Sequence, residues 1–194
     1  MSFLKEENTL SNKTKQKRDG KGIITHNRNE MMNTQLKYAM RHWAMAVSVI
    51  TVGEGGSQTG ATVTSALLFS LEPSIMLVSI NRNSSTYRSI IKNNHFCINL
   101  LNANQRFVAE RFSGIGNFRG QQRYEGAEWY RMVTGASALT NALASIDCEV
   151  HEVIERYSHA LVLGCVMAVN TKEGISLVYC NTEYGQYGSK KRQM

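Results

Sequence analysis

The sequence predicts a mainly β domain, an antiparallel closed or split barrel with a few α-helices outside it. Three observations point there. Seven runs rich in Val, Ile and Leu have strand length: 46–52, 60–70, 74–80, 95–101, 145–154, 160–169 and 175–180. Only three stretches have helical spacing, and strands do not alternate regularly with helices, which disfavours a doubly wound α/β sheet. Closing the strands on one another also removes the exposed edges that so many apolar strands would otherwise present. At 194 residues with 42% hydrophobic content, one domain with one sizeable core is expected.

Residues 1–30 are polar, lysine-rich and poor in aromatics, the composition of a segment that buries too little surface to order itself, so a basic, disordered N-terminal tail is expected before a domain at 31–188. From Met32, the apolar positions Leu36, Ala39, Met40 and Trp43 predict an amphipathic helix that ends where "AVSVITV" begins. "GEGGSQTG" then makes a turn, its glycines explained by hairpin geometry because a strand follows rather than a helix. "GATVTSALLFSLEP" (60–73) alternates its faces, with Thr62 and Thr64 on one side and Val63 and Ser65 on the other. Pro73 closes it and takes the chain out of the ladder. Helices are expected at 85–93 and 103–113, and "FSGIGNFRGQQRYEGAEWYRMVTGASA" (112–138) reads as a long surface excursion whose five aromatics argue against simple disorder. A short basic tail, 189–194, ends the chain.

The net charge of +7 raises nucleic acid as a partner, so the placement of the charge matters. Residues 1–30 hold seven Lys/Arg against four acids, and Lys190, Lys191 and Arg192 add three cations, so six of the seven excess charges lie at the ends. A nearly neutral body disfavours a phosphate-tracking face. Cys97, Cys148, Cys165 and Cys180 form no C-x-x-C pair and lie in apolar runs, as buried free thiols do. Neither a signal peptide nor a spanning helix is indicated, and a cytoplasmic location is expected. No metal-ligand spacing, G-x-S-x-G, H-E-x-x-H, Walker A or paired-carboxylate pattern occurs, leaving acid–base or metal hydrolysis without support.

The stretch "SINRNSSTYRSII" (79–91) passes from strand to helix through Asn81, Arg82, Asn83, Ser84, Ser85 and Thr86. A helix start needs one capping hydroxyl. This junction supplies three with an arginine, and a helix N-terminus also attracts phosphate, so capping and anion binding both stand at this point. "RYSHALVLGCV" (156–166) places His159 at the entry to the most apolar strand, where it either presents an imidazole to a ligand or is a plain edge residue.

From about Gln35 to Tyr187 the chain resembles the short-chain flavin reductases, the reductase components of two-component flavin monooxygenases. The resemblance is carried by the order and spacing of "AMRHWAMAVSVIT", "GATVTSALLFSLEP", "SINRNSSTYRSI", "ERFSG", "ASIDCEV", "SHALVLGCV" and "LVYCNTEY". It implies an antiparallel split β-barrel of the FMN-binding type. It also implies that Thr62, Val63, Thr64, Ser65 and Ala66 lie along the flavin ring, that Ser79 also contacts the flavin, and that Asn81, Arg82, Ser84, Ser85 and Thr86 hold its phosphate, capping being a simultaneous second role. Arg111 and Phe112 would border the flavin chain. Where the family usually has Gly-Asp-His, this chain has Tyr157, Ser158 and His159, so the resemblance makes His159 a nicotinamide contact, with Tyr184 a late aromatic nearby.

The activity so implied is hydride transfer from NADH or NADPH to FMN or FAD, with no protein group acting as acid or base. A homodimer, and delivery of diffusible reduced flavin to a partner monooxygenase, are implied with it. A flavoprotein that keeps its FMN for electron transfer or small-molecule oxidation is the alternative on the same fold. A barrel binding single-stranded nucleic acid ranks last, because its strands lack interleaved aromatics and cations.

Overall fold

The computed structural model describes residues 22–188, with side chains from residue 29 onward. The expected tail therefore falls largely outside the described residues, as does 189–194. The first helix, α1 (Gly22–Arg41), begins ten residues before the periodicity at Met32 places it. Its described residues, 29–41, are all exposed, so its apolar stripe is not buried within this chain.

A two-residue strand, β1 (Met45–Ala46), leads into β2 (Ser48–Val52) and, after the glycine turn, β3 (Thr59–Val63). The expected run 60–70 is broken by a bend at Thr64 and Ser65, beyond which β4 (Ala66–Leu71) turns at Pro73 into β5 (Ser74–Asn81). Helix α2 (Ser85–Asn93) and β6 (His95–Leu100) follow as expected. The predicted helix at 103–113 is a 3₁₀ turn, Ala103–Gln105, continued by α3 (Arg106–Phe112). The excursion at 112–138 is folded back on the body through two 3₁₀ segments and the hairpin β7 (Trp129–Arg131) and β8 (Ser137–Leu139). Two long strands, β9 (Ala144–Arg156) and β10 (His159–Thr171), then β11 (Ser176–Cys180) and β12 (Glu183–Tyr187), complete the chain.

Seven strands form one antiparallel sheet in the order β3-β2-β6-β9-β10-β5-β4, with β1-β11-β12 and β7-β8 as smaller sheets. The large sheet is not closed by a ladder. Its two edge strands, β3 and β4, are nonetheless consecutive in sequence, so the chain crosses from edge to edge at the Thr64–Ser65 bend, where the Ser65 hydroxyl donates to the Ser79 carbonyl (2.9 Å). This is a mostly β, split-barrel-like architecture, as the sequence predicts.

The core has two main parts. Ile50, Val52, Val78, Ile90, Phe96, Ile98 and Val162 fill the sheet under α2. Val47, Val49, Leu101, Val108, Phe112, Tyr124 and Leu139 fill the space under α3 and the folded-back loop. Gly60 lets β3 lie directly against this second part, since a Cβ there would stand 2.2 Å from the Ile50 carbonyl oxygen and 2.8 Å from the Phe112 ring.

Candidate functional site

At the β5–α2 junction the hydroxyls divide their work. Ser84 caps α2: its side chain accepts from the Tyr87 N–H (3.0 Å) and donates to the Asn81 carbonyl (2.7 Å). Asn81 Oδ1 accepts from the Asn83 N–H (2.9 Å), which shapes the turn itself. With capping assigned to Ser84, Ser85 at the first helical position is exposed, and its hydroxyl lies 3.1 Å from Thr59 Oγ1. Thr86 is the exception among the expected groups. It is 1% exposed, so neither its hydroxyl nor its main chain has surface to offer.

The second half of the site is the turn between β9 and β10. His159 pairs with Asn81 across β10–β5 and with Arg156 across β9–β10, which sets the imidazole beside the first residue of the junction. Its Nδ1 lies 2.9 Å from the Ser158 hydroxyl, so a serine orients the ring here. The junction and the turn are tied through Arg82. Its main-chain N–H donates to the Ser158 carbonyl (3.0 Å) and its Nη1 to the Tyr157 carbonyl (3.1 Å), while Nη2 forms an ion pair with Glu155. Glu155 also accepts from the Tyr87 hydroxyl, and that hydrogen bond is the largest of the effects that push the Tyr87 pKa up.

The remaining expected residues scatter more widely. Thr62 aims its hydroxyl at the Ala109 carbonyl (2.6 Å), binding β3 to α3, and Val63 packs against the core. Thr64, Ser65 and Ala66, half-buried at the edge-to-edge crossing, lie beside Ser79 in space. Arg111 is committed to the folded-back loop, pairing with Glu125 (3.2 Å) and the Gln122 carbonyl and lying over the Phe118 ring at 4.1 Å. Its buried Nε has no partner. Phe112 turns its ring into the core, sealed beneath Gly60 and packed edge-on to Tyr124 with centroids 5.0 Å apart. Tyr184 sits on β12 against Tyr179, with the Arg106 guanidinium 5.3 Å from its ring, and burial raises its pKa. Its contacts are with α3 and β11 rather than with His159.

Four contributors escaped the sequence reading. Glu155 and Tyr87 look like the polar face of a strand and the apolar face of a helix, and only the fold brings them to Arg82. Thr59 looks like hairpin filler, yet it meets Ser85 across the β3–α2 interface and its carbonyl accepts from the Tyr124 hydroxyl (2.6 Å). Arg123, whose guanidinium donates to the Gly60 carbonyl, loses some basicity to burial.

A hydroxyl on an exposed helix start, a guanidinium 40% exposed and an imidazole aligned beside them suit a phosphate monoester joined to a flat ring system. Residues 40–188 match the sequence profile of the flavin reductase like domain. The chain belongs to the flavin reductase family. It is similar to an "FMN reductase (NADH) RutF 2" of Methylorubrum extorquens, 35% identical over 147 residues, which covers 75% of this chain and 84% of that one. Among solved structures it resembles a Haemophilus somnus protein crystallised under the provisional description of a flavin reductase (28% identity, TM-score 0.75, 79% of this chain and 97% of that one). It also shares its fold with nitrilotriacetate monooxygenase component B from Mycobacterium thermoresistibile (24% identity, TM-score 0.75, 86% and 92% covered).

Proposed function

We propose that this flavin reductase family member oxidises NADH and reduces FMN, and that reduced FMN leaves it for a partner monooxygenase. The observation that supports the reading is the register of His159 opposite Asn81, which sets an exposed imidazole beside the hydroxyl- and arginine-bearing start of α2. Similarity to the M. extorquens protein supports FMN and NADH over FAD and NADPH. The fold shared with a monooxygenase component supports the partner.

The two ligands supply the chemistry, a hydride passing from the nicotinamide to the flavin ring. The chain's residues then have only positions to set. Ser85 and Arg82 would fix the phosphate end. The Thr64–Ala66 crossing would run along the ring, and His159, held by Ser158, would orient the carboxamide of the nicotinamide. Bringing two rings to near-attack distance, roughly 3–3.5 Å, turns a bimolecular encounter into an intramolecular one, which accounts for a site without an acid–base pair.

A homodimer fits the exposed apolar surface. The α1 stripe (Met32, Leu36, Met40 and then Trp43) and the edge strand β4 (Leu67, Leu68, Phe69, Leu71) are both uncovered in the single chain. Patches of this kind mark interfaces. Four unpaired cysteines fit a reducing compartment such as the cytoplasm. Among the described residues no helix is long and apolar enough to cross a membrane.

The test is NADH oxidation measured with increasing free FMN. Saturable dependence on added FMN is expected, with anaerobic bleaching of the flavin band near about 450 nm, given that the ligand carries the chemistry. Turnover independent of added flavin would point instead to a protein that keeps its FMN.

A further inference from the structure

Glu155 is on no sequence pattern for this fold, yet it sits at the centre of the contacts joining the two halves of the site. One carboxylate oxygen takes the Arg82 guanidinium and the other takes the Tyr87 hydroxyl. Arg82 in turn donates to the carbonyls of both Tyr157 and Ser158. The turn that carries His159 needs such a tie. Tyr157, Ser158 and His159 are all exposed, Tyr157 to 96%, so side-chain packing does not hold them in place. Tyr157 also stands at φ 52°, a backbone region that a side chain of this size rarely adopts and that surrounding contacts must maintain.

We propose that Glu155 is a positioning residue that divides Arg82 between the flavin phosphate and the dinucleotide turn. A guanidinium has five donors in a rigid fork, and here its Nη1 donates to the Tyr157 carbonyl and its Nη2 pairs with Glu155, both on the turn side. Arg82 and Glu155 remain 40% and 44% exposed, so an incoming phosphate can reach the same cation. A dianionic phosphate and a carboxylate then draw on one positive charge. Glu155 weakens the hold on the phosphate while keeping the Arg82 guanidinium oriented toward the Tyr157 carbonyl. That arrangement suits a protein whose reduced flavin must leave after each turnover. Two ligands linked through one cation, one directly and one by way of the turn it holds, are also coupled, and the coupling is reciprocal.

The inference rests on the proposed phosphate and nicotinamide sites, and its signature is a pair of opposite changes that structural damage does not produce. Glu155→Gln keeps the shape and an acceptor for the Tyr87 hydroxyl but removes the charge. The expected result is FMN binding tighter by about two- to fivefold, the scale of a half-exposed charge pair, with the KM for NADH raised by at least as much. Riboflavin, which lacks the phosphate, should bind the variant and the wild type equally. Glu155→Asp, which restores the charge one methylene shorter, should move both values back toward wild type. Wild-type protein that binds FMN no more tightly than riboflavin would overturn the phosphate site itself. A wild type that prefers FMN, with a Glu155→Gln variant that weakens both ligands, shifts riboflavin as much as FMN, or leaves the KM for NADH unchanged, would overturn the role of Glu155 alone. Thermal unfolding of each variant accompanies the titrations, and should Glu155→Gln not fold, Glu155→Asp is read against wild type by the same opposite changes, reduced in size.

Discussion

Tyr157 occupies a position where glycine would be at ease. The ladder pairs Arg156 with His159, so Tyr157 and Ser158 form a two-residue turn, and both common turns of this kind need positive φ at the first position. Tyr157→Gly should therefore leave stability unchanged or raise it by up to about 1 kcal/mol, measured by chemical denaturation. Gly60 is the opposite case. Its missing side chain lets β3 approach Ile50 and Phe112, and Gly60→Ala should cost about 3 kcal/mol through overpacking against backbone. His159 makes its ring contact with Ser158 at the surface, so His159→Ala should raise the KM for NADH while FMN affinity in a direct titration stays at the wild-type value. Equal loss for both ligands would show that the imidazole does not separate their sites.

The folded-back hairpin β7–β8 is fastened by a buried polar network rather than by apolar packing alone. Asp147 is fully buried and accepts from both the N–H (2.8 Å) and the hydroxyl (2.6 Å) of Thr134. Asn99, also fully buried, accepts from the Leu139 N–H (2.7 Å) and donates to Thr51 Oγ1 (3.2 Å). Thr134→Val removes one partner from a buried carboxylate and should cost about 2–3 kcal/mol in equilibrium unfolding. Most elements were legible in advance because their signals are local. The seven apolar runs all became strands, the run at 60–70 splitting where Thr64 and Ser65 bend, and the helix at 85–93 has the expected bounds. Long-range contacts were not legible. Nothing in "EVIER" marks Glu155 as the partner of Arg82, and Phe112 looks identical in sequence whether it faces a ligand or, as found, lies beneath Gly60. Within the junction, the number of hydroxyls was readable from sequence. Which one caps, which one is exposed and which one is buried depended on the helix phase.

For the molecule as a whole, burial of ionisable groups sets the alkaline limit. Burial pushes the Cys148 thiol up to about 12 and the Cys97 thiol well above its usual value. A raised folded-state pKa means that the folded chain holds protons the unfolded chain has released. Stability from these thiols is thus fully present below pH about 9 and is lost as the pH rises from there toward 12. Urea midpoints should fall steadily above pH 9, and both cysteines should resist thiol reagents in the native state at pH 7. Assembly is the other property at this scale: wild-type protein should run at about twice 21.7 kDa in light scattering, and Phe69→Asp on β4 should shift it toward one copy. The proposed activity turns on where the flavin phosphate lies, and a crystal grown with FMN measures that directly. Phosphate density within hydrogen-bonding reach of Ser85 and the Arg82 guanidinium, with the ring running toward the Thr64–Ala66 crossing, is the predicted result. FMN bound elsewhere, with the β5–α2 junction holding only solvent, would contradict it.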